Sequence, residues 1–173
     1  RLDPDIISKY TAFYKISEFE KLKLLKNKKL DDEFVDLYFS LLKNESLTNQ
    51  VGSIILSITQ SAEDPRYAYK YQDLFETKEK ILKSIALKYK KDILNLYNYY
   101  RNRSISGNYL ENEIFNIKNR QIKNLCLGLL MRLDTPDIHA LIKNQYLNSV
   151  NFSDRLASFS FYLRTTAKDK LEI

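Results

Sequence analysis

Residues 77–103, TKEKILKSIALKYKKDILNLYNYYRNR, decide the fold class. Leu82, Ile85, Ala86, Tyr89, Ile93, Leu96, Tyr97 and Tyr100 recur there at steps of three and four. That spacing places side chains on one face of an α-helix. It predicts a single helix from Thr77 to about Arg103, stopped by the Ser104 to Asn108 stretch, which contains Gly107.

The same periodicity extends outward in both directions. Downstream, Leu110 to Leu133 reads as a helix whose centre, Leu125 to Met131, is apolar all round, so it must be packed on more than one side. Thr135-Pro136 caps and opens another helix ending near Ser149. Ser153 caps the last, with Leu156, Phe159 and Leu163 facing inward. Upstream, Asp3-Pro4 opens a helix to about Lys26, with Ile7, Tyr10, Tyr14, Phe19, Leu22 and Leu25 at roughly helical spacing. Asp31 caps a second, with a stripe of Phe34, Leu37, Tyr38, Leu41 and Leu42. Leu47 to Thr59 reads as a third, with Val51, Ile54, Ile55 and Ile58 inward. Strand competes there, because its end is short and β-branched. From Gln60 to Glu76, Asp64-Pro65 breaks any helix, and Tyr67, Tyr69, Tyr71 and Phe75 predict a connector pinned by aromatic contacts.

Only 3 Gly and 3 Pro occur in 173 residues, too few for the tight corners of a β-sandwich. With 44% apolar and 29% charged residues, the chain can bury a core and is not expected to be disordered. The expectation is an all-α chain: an antiparallel helical array of the HEAT or armadillo kind, forming one domain or part-domain over residues 1–173. The formal charge of +6 is spread along the chain. Diffuse lysine describes solvated helix faces and does not argue for nucleic acid. No apolar run reaches membrane-spanning length, and a single cysteine, Cys126, fits a reducing, cytoplasmic setting. The chain begins with Arg1 instead of Met and reads as a piece of a longer polypeptide.

No catalytic, cofactor-binding or metal-binding residue is assigned from the pattern. H-E-x-x-H, G-x-x-x-x-G-K and G-x-G-x-x-G are all absent, and His139 is the only histidine. His139 is expected at the surface or core edge, and Cys126 in the core. The cluster of Tyr97, Tyr99, Tyr100, Arg101 and Arg103 could stack on bases or grip an acidic ligand. Its other reading is a buried tyrosine face beside a helix C-terminus, where arginine complements the dipole. Asp31-Asp32 and Glu111/Glu113 lie near helix starts, where carboxylates are favourable without any catalytic role.

Two segments carry a resemblance. Residues 120–130, RQIKNLCLGLL, are similar to the R-x-L-(R/K)-N-x-C-L-x-x-L signature in the helical C-terminal region of bacterial-type aminopeptidase N. Gln145-Tyr146, then Asn151 to Phe159, resembles that family's Q-F followed by N-M-T-D-x-x-A-A-L. Ile58-Thr59 through Glu63-Asp64 resembles its L-T-L-P-S-E-N segment, with Ser61 in place of the proline. Phe13-Tyr14-Lys15 stands where the family has F-N-R-W-E, without the W-E pair.

The resemblance implies a zinc-dependent exopeptidase that removes N-terminal residues from peptides. Its zinc and glutamate base would lie in another domain, and a helical superhelix would close a chamber over them. This stretch would be the non-catalytic first part of that superhelix, with no cofactor of its own and the zinc held elsewhere in the parent. It would wall the chamber and limit access. Its partners would be the catalytic domain of the same polypeptide and the parent's peptide substrates, not nucleic acid or membrane. Within the matched region Leu125, Cys126 and Leu129 should fill a core, and Asn124 should tie helix to helix. Arg120 and Lys123 could attract peptide carboxylates or form structural salt bridges. A free-standing HEAT-like protein-interaction scaffold is the alternative, and a basic nucleic-acid-binding helical domain is a third.

Overall fold

The computed structural model describes residues 5–103 and 108–172, and among these the fold is all-α, with no strand. The first three helices are α1 (Ile6–Leu25), α2 (Asp32–Leu42) and α3 (Glu45–Val51). Two short 3-10 turns follow, at Ile54–Leu56 and Pro65–Tyr67. Then come α4 (Tyr71–Lys88), α5 (Lys90–Asn102), α6 (Tyr109–Met131), α7 (Pro136–Asn148) and α8 (Phe152–Leu163). α6 is the axis: it packs most extensively on α5 and also touches α3, α4, α7 and α8. α1 and α2 cover α4, and α7 lies along α8.

The expected doubly packed helix is real, since every residue from Cys126 to Met131 is buried. Two glycines permit close approaches. Gly52 ends α3 at φ +65°, a left-handed backbone that a side chain would strain. Gly128 lets α8 lie directly on α6, since a Cβ there would stand 3.0 Å from the Phe161 ring.

Several elements depart from the sequence pattern. The helix expected from Thr77 begins six residues earlier, at Tyr71, and is interrupted at Tyr89 (φ −117°, ψ 25°), making two helices. The Tyr89 ring stacks on Phe39 at 4.0 Å between centroids, and its hydroxyl donates to Asp36 at 2.7 Å. Tyr89 keeps its own backbone bonds there, its amide donating to Ile85 at 3.0 Å and its carbonyl accepting from Ile93 at 2.9 Å, so the stacked ring is gained at little cost in hydrogen bonding. Leu47 to Thr59 is not one helix: α3 stops at Val51, and Ile54 is 64% exposed while Ile55 and Ile58 are buried. In α1 the buried face is mostly polar, with Ser17, Glu18, Glu20 and Lys21 beside Phe13 and Leu24, while Ile7, Tyr10 and Phe19 are exposed.

The helix starts differ as well. Asp3-Pro4 lies outside the described residues, and Asp5 caps α1 by accepting from the Ser8 amide at 2.7 Å. Asp31 caps α2 as expected, accepting from the Glu33 amide at 3.0 Å. The Ser104 to Gly107 stop lies outside the described residues, and Asn108 caps α6. Thr135 holds the cap position of α7 without a side-chain capping bond. α8 is capped by Asn151, not Ser153, whose amide donates to Asn151 Oδ1 at 2.9 Å. Its inner face is polar, formed by Asp154, Ser158 and Tyr162, whereas Leu156 is 50% exposed.

Tyr38 is wholly buried, and no described residue bonds its hydroxyl. Burial drives its pKa well above the ordinary tyrosine value. Deleting an unsatisfied buried hydroxyl removes a desolvation cost without breaking a bond. Tyr38→Phe is therefore expected to leave stability unchanged or raise it by up to about 1 kcal/mol in urea unfolding. A clear loss would reveal a partner for that hydroxyl.

Two exposed carboxylates join helices. Asp137, at the start of α7, is held near pKa 2 by the nearby Thr135 hydroxyl and by Lys90 of α5, whose ammonium donates to it at 2.9 Å. Asp169 is held near pKa 2 by Lys143 of α7 and by the Tyr162 hydroxyl, which donates at 2.6 Å. A carboxyl whose folded pKa is depressed contributes stability above its unfolded pKa of about 3.9 and loses it as pH falls toward the folded value. Thermal melts should thus show a midpoint that is level above about pH 5 and falls between about pH 4 and 2, with a shallower fall in high salt. Asp137→Asn with Asp169→Asn should flatten that limb, and an unchanged limb would exclude these two groups as its source.

Candidate functional site

The residues that carry the resemblance converge on one buried polar joint. Asp154, in the first turn of α8, is only 5% exposed. Its carboxylate is bonded from α6 by Lys123 Nζ at 2.6 Å and by Asn124 Nδ2 at 2.9 Å. Gln145 of α7 donates to Asn124 Oδ1 at 2.8 Å and to the Asp154 carbonyl at 3.3 Å. Its own carbonyl accepts from the Tyr97 hydroxyl of α5 at 2.9 Å. Ser158 closes the set by donating to the Asp154 carbonyl at 2.6 Å. One connected network therefore locks four helices.

The local sequence explains this convergence. Lys123 and Asn124 are adjacent on α6, so one turn presents both an ammonium and an amide to the same carboxylate. Asp154 sits where the positive end of the α8 dipole favours a carboxylate. Asn124 ties helix to helix as the sequence suggested. Lys123 forms the structural salt bridge and is spent on Asp154, so it is not free to attract a peptide carboxylate. Arg120 is half-buried and makes no ion pair with a described residue. Over the joint opens a cleft of about 200 Å³, lined among others by Tyr97, Arg101, Lys123, Gln145 and Asp154. Tyr97, Lys123, Gln145 and Asp154 at its floor are bonded within the network, so the arrangement fixes geometry.

The other candidates separate. Of the tyrosine and arginine cluster, Tyr97 joins the network and Arg101 is exposed. Arg103 lies over the rings of Phe115 at 4.5 Å, Tyr99 at 5.4 Å and Tyr100 at 5.8 Å. It also donates to Glu45 at 2.5 Å and Asn49 at 3.1 Å. The cluster is thus a cation–π joint between α3, α5 and α6. Cys126 is fully buried, and burial raises its thiol to about 12, leaving it unreactive. His139 Nε2 lies 2.6 Å from Asp134 Oδ1, which also accepts from the Thr166 amide at 2.9 Å. Burial alone would raise the Asp134 carboxyl, but the bonds from Thr166 and His139 outweigh it and hold it below its usual value. Glu111 lies in the first turn of α6 near the Asn108 cap, a dipole position. Glu113 is half-buried farther along.

One joint has no counterpart in the sequence reading. Lys21 of α1 is 1% exposed and pairs with Glu18 one turn earlier. Its ammonium donates to the Thr59 carbonyl at 3.1 Å, the Thr59 hydroxyl at 3.0 Å and the Ser61 carbonyl at 2.6 Å. Glu18 accepts the Glu63 amide at 3.1 Å. The connector is therefore pinned by charge, and not by aromatic contacts, since Tyr69 and Tyr71 are exposed. The available signal was that Phe13, Ser17, Lys21 and Leu24 lie on one helical face.

A family model described as "Domain of unknown function (DUF3458_C) ARM repeats" matches residues 1–173. Among solved structures the chain is similar to the crystal structure of Legionella pneumophila aminopeptidase A in complex with aspartic acid, with a TM-score of 0.70 and 16% identity. The match covers 91% of this chain and 20% of that one, so the chain spans about a fifth of its structural relative. At that identity the likeness shows the fold. No curated protein sequence matches the chain.

Proposed function

Because the chain belongs to the ARM-repeat family described as DUF3458_C, we propose that it is the non-catalytic helical portion of a zinc-dependent aminopeptidase, which removes N-terminal residues from peptides. In this role the array walls the active-site chamber and restricts substrate access. Its partners are then the catalytic part of the same polypeptide and the peptides admitted to the chamber, in a cytoplasmic setting.

What supports the reading is the meeting of two likenesses, the signature at residues 120–159 and a fold shared with one fifth of an aminopeptidase chain. The polar joint fits it physically. A wall must hold its shape while peptides pass, and a fully bonded buried network fixes helix against helix more narrowly than apolar packing does. Zinc would supply Lewis-acid activation of water in such an enzyme. This chain does not suit it: its single histidine is bonded to Asp134, and no three His, Cys, Asp or Glu among the described residues could hold a metal.

Reading the gene tests the proposal directly. The frame encoding residues 1–173 should also encode H-E-x-x-H and G-A-M-E-N ahead of Arg1. Their absence would sink the aminopeptidase assignment and favour a free-standing scaffold. The 173-residue chain alone should hydrolyse no aminoacyl-p-nitroanilide, and turnover by it would overturn the non-catalytic role.

A further inference from the structure

A second cleft lies away from the polar joint, between α4 and the C-terminal ends of α6 and α8. It encloses about 570 Å³. Four of its lining residues are cations: Lys80 and Lys83 of α4, Arg132 at the end of α6 and Arg164 at the end of α8. We propose that this cleft binds a small, multiply charged oxyanion carried on an organic body, such as a phosphate ester or a polycarboxylate.

The charge balance carries the argument. Arg132 and Arg164 both approach the same oxygen of Glu79, at 2.7 and 3.2 Å. Arg132 also donates through Nη1 to the Gly128 carbonyl at 2.5 Å, yet most N–H groups of the two forks stay unspent, because each carries five. Arg132 Nε is buried and has no partner among the described residues. Asp134, the other acidic lining residue, is bonded to His139 and to the Thr166 amide. Lys80 and Lys83 make no ion pair with a described residue. Helix dipoles explain the two arginines, which cap the C-termini of α6 and α8. They do not explain the lysines, which stand in the middle of α4 (Tyr71–Lys88). The surplus is felt nearby: burial, then Arg132 and Arg164, hold the Lys78 ammonium below its usual pKa against the pull of Glu79. Phe75, 37% exposed, and buried Met131 add an apolar wall that a bare ion would not use.

The test titrates inorganic phosphate, citrate and phenyl phosphate into the 173-residue chain at constant ionic strength, followed by NMR. Saturable shifts at Lys80, Lys83, Arg132 and Arg164 are expected, with phenyl phosphate or citrate binding more tightly than phosphate. Which of the two binds best assigns the class. Lys83→Gln with Arg164→Gln, both solvent-accessible, should weaken binding by about tenfold or more. Glu79→Gln should tighten it, because a competing anion is removed. Absence of saturation by all three probes, or equal affinity in the folded Lys83→Gln/Arg164→Gln chain, would overturn the proposal. Neither outcome bears on the chamber-wall reading, which does not use this cleft.

Discussion

Asp154→Ala is expected to cost the fold about 3–5 kcal/mol, because it strands the Lys123 ammonium in the interior without a counter-charge. The side chains of the pair are only 11% and 7% exposed, so water cannot solvate the lysine in place. Asn124 Nδ2 loses its acceptor at the same time. For a chain of this size the loss corresponds to a melting midpoint lower by roughly 6–20 °C. The cause can be separated from simple truncation. Lys123→Met combined with Asp154→Leu removes both charges and should recover most of the stability, since a buried pair is worth little more than an apolar one of similar volume. Urea unfolding of Lys123→Met, Asp154→Leu and the double variant completes the cycle. Single variants within about 1 kcal/mol of the parent, or a double variant at the sum of the singles, would show that Lys123 and Asp154 do not form the joint described.

Lys21→Met should cost a similar amount, about 3–5 kcal/mol, but in a different place. The substitution keeps the aliphatic stem and removes the ammonium that serves Glu18 and the carbonyls of Thr59 and Ser61. Glu18 then remains buried without a counter-charge, and two backbone acceptors lose their donor. Because these bonds hold the connector to α1, the opening should be local before it is global. Amide exchange at Glu63 and proteolysis between Gln60 and Arg66 should accelerate strongly, while amides of α6 to α8 hold. Glu18→Gln added to Lys21→Met should return part of the loss. Uniform acceleration across all helices would place Lys21 in the global core and not at a local joint.

The two joints differ in how far they were legible. Asp154, Gln145, Asn124 and Lys123 all fall in segments that resemble a family signature, and their sequence points to Asn124 as a helix tie. Their meeting was not visible, because it depends on α7 and α8 turning the far residues back onto α6. The α1 joint was hidden for another reason. Ser17, Glu18, Glu20 and Lys21 look like a solvated stripe, and only the connector over Glu18 and Lys21, with Asp31 over Glu20, buries their charge. Apolar Ile7 and Phe19 pointed to the wrong face. The break at Tyr89 was likewise silent, since local spacing continues through it and the stacking partner, Phe39, is fifty residues away.

By itself the sequence determined the helical class, nearly all the helices and the deep burial of the α6 centre. Those follow from spacing, caps and scarce glycine and proline, which act within a few residues. Tertiary structure decided which charged residues are buried, where long periodic segments break, and that Lys123, Asn124, Gln145 and Asp154 fasten α6, α7 and α8 together. The physical reason is that desolvation depends on what covers a side chain, and its covering comes from residues distant in the chain.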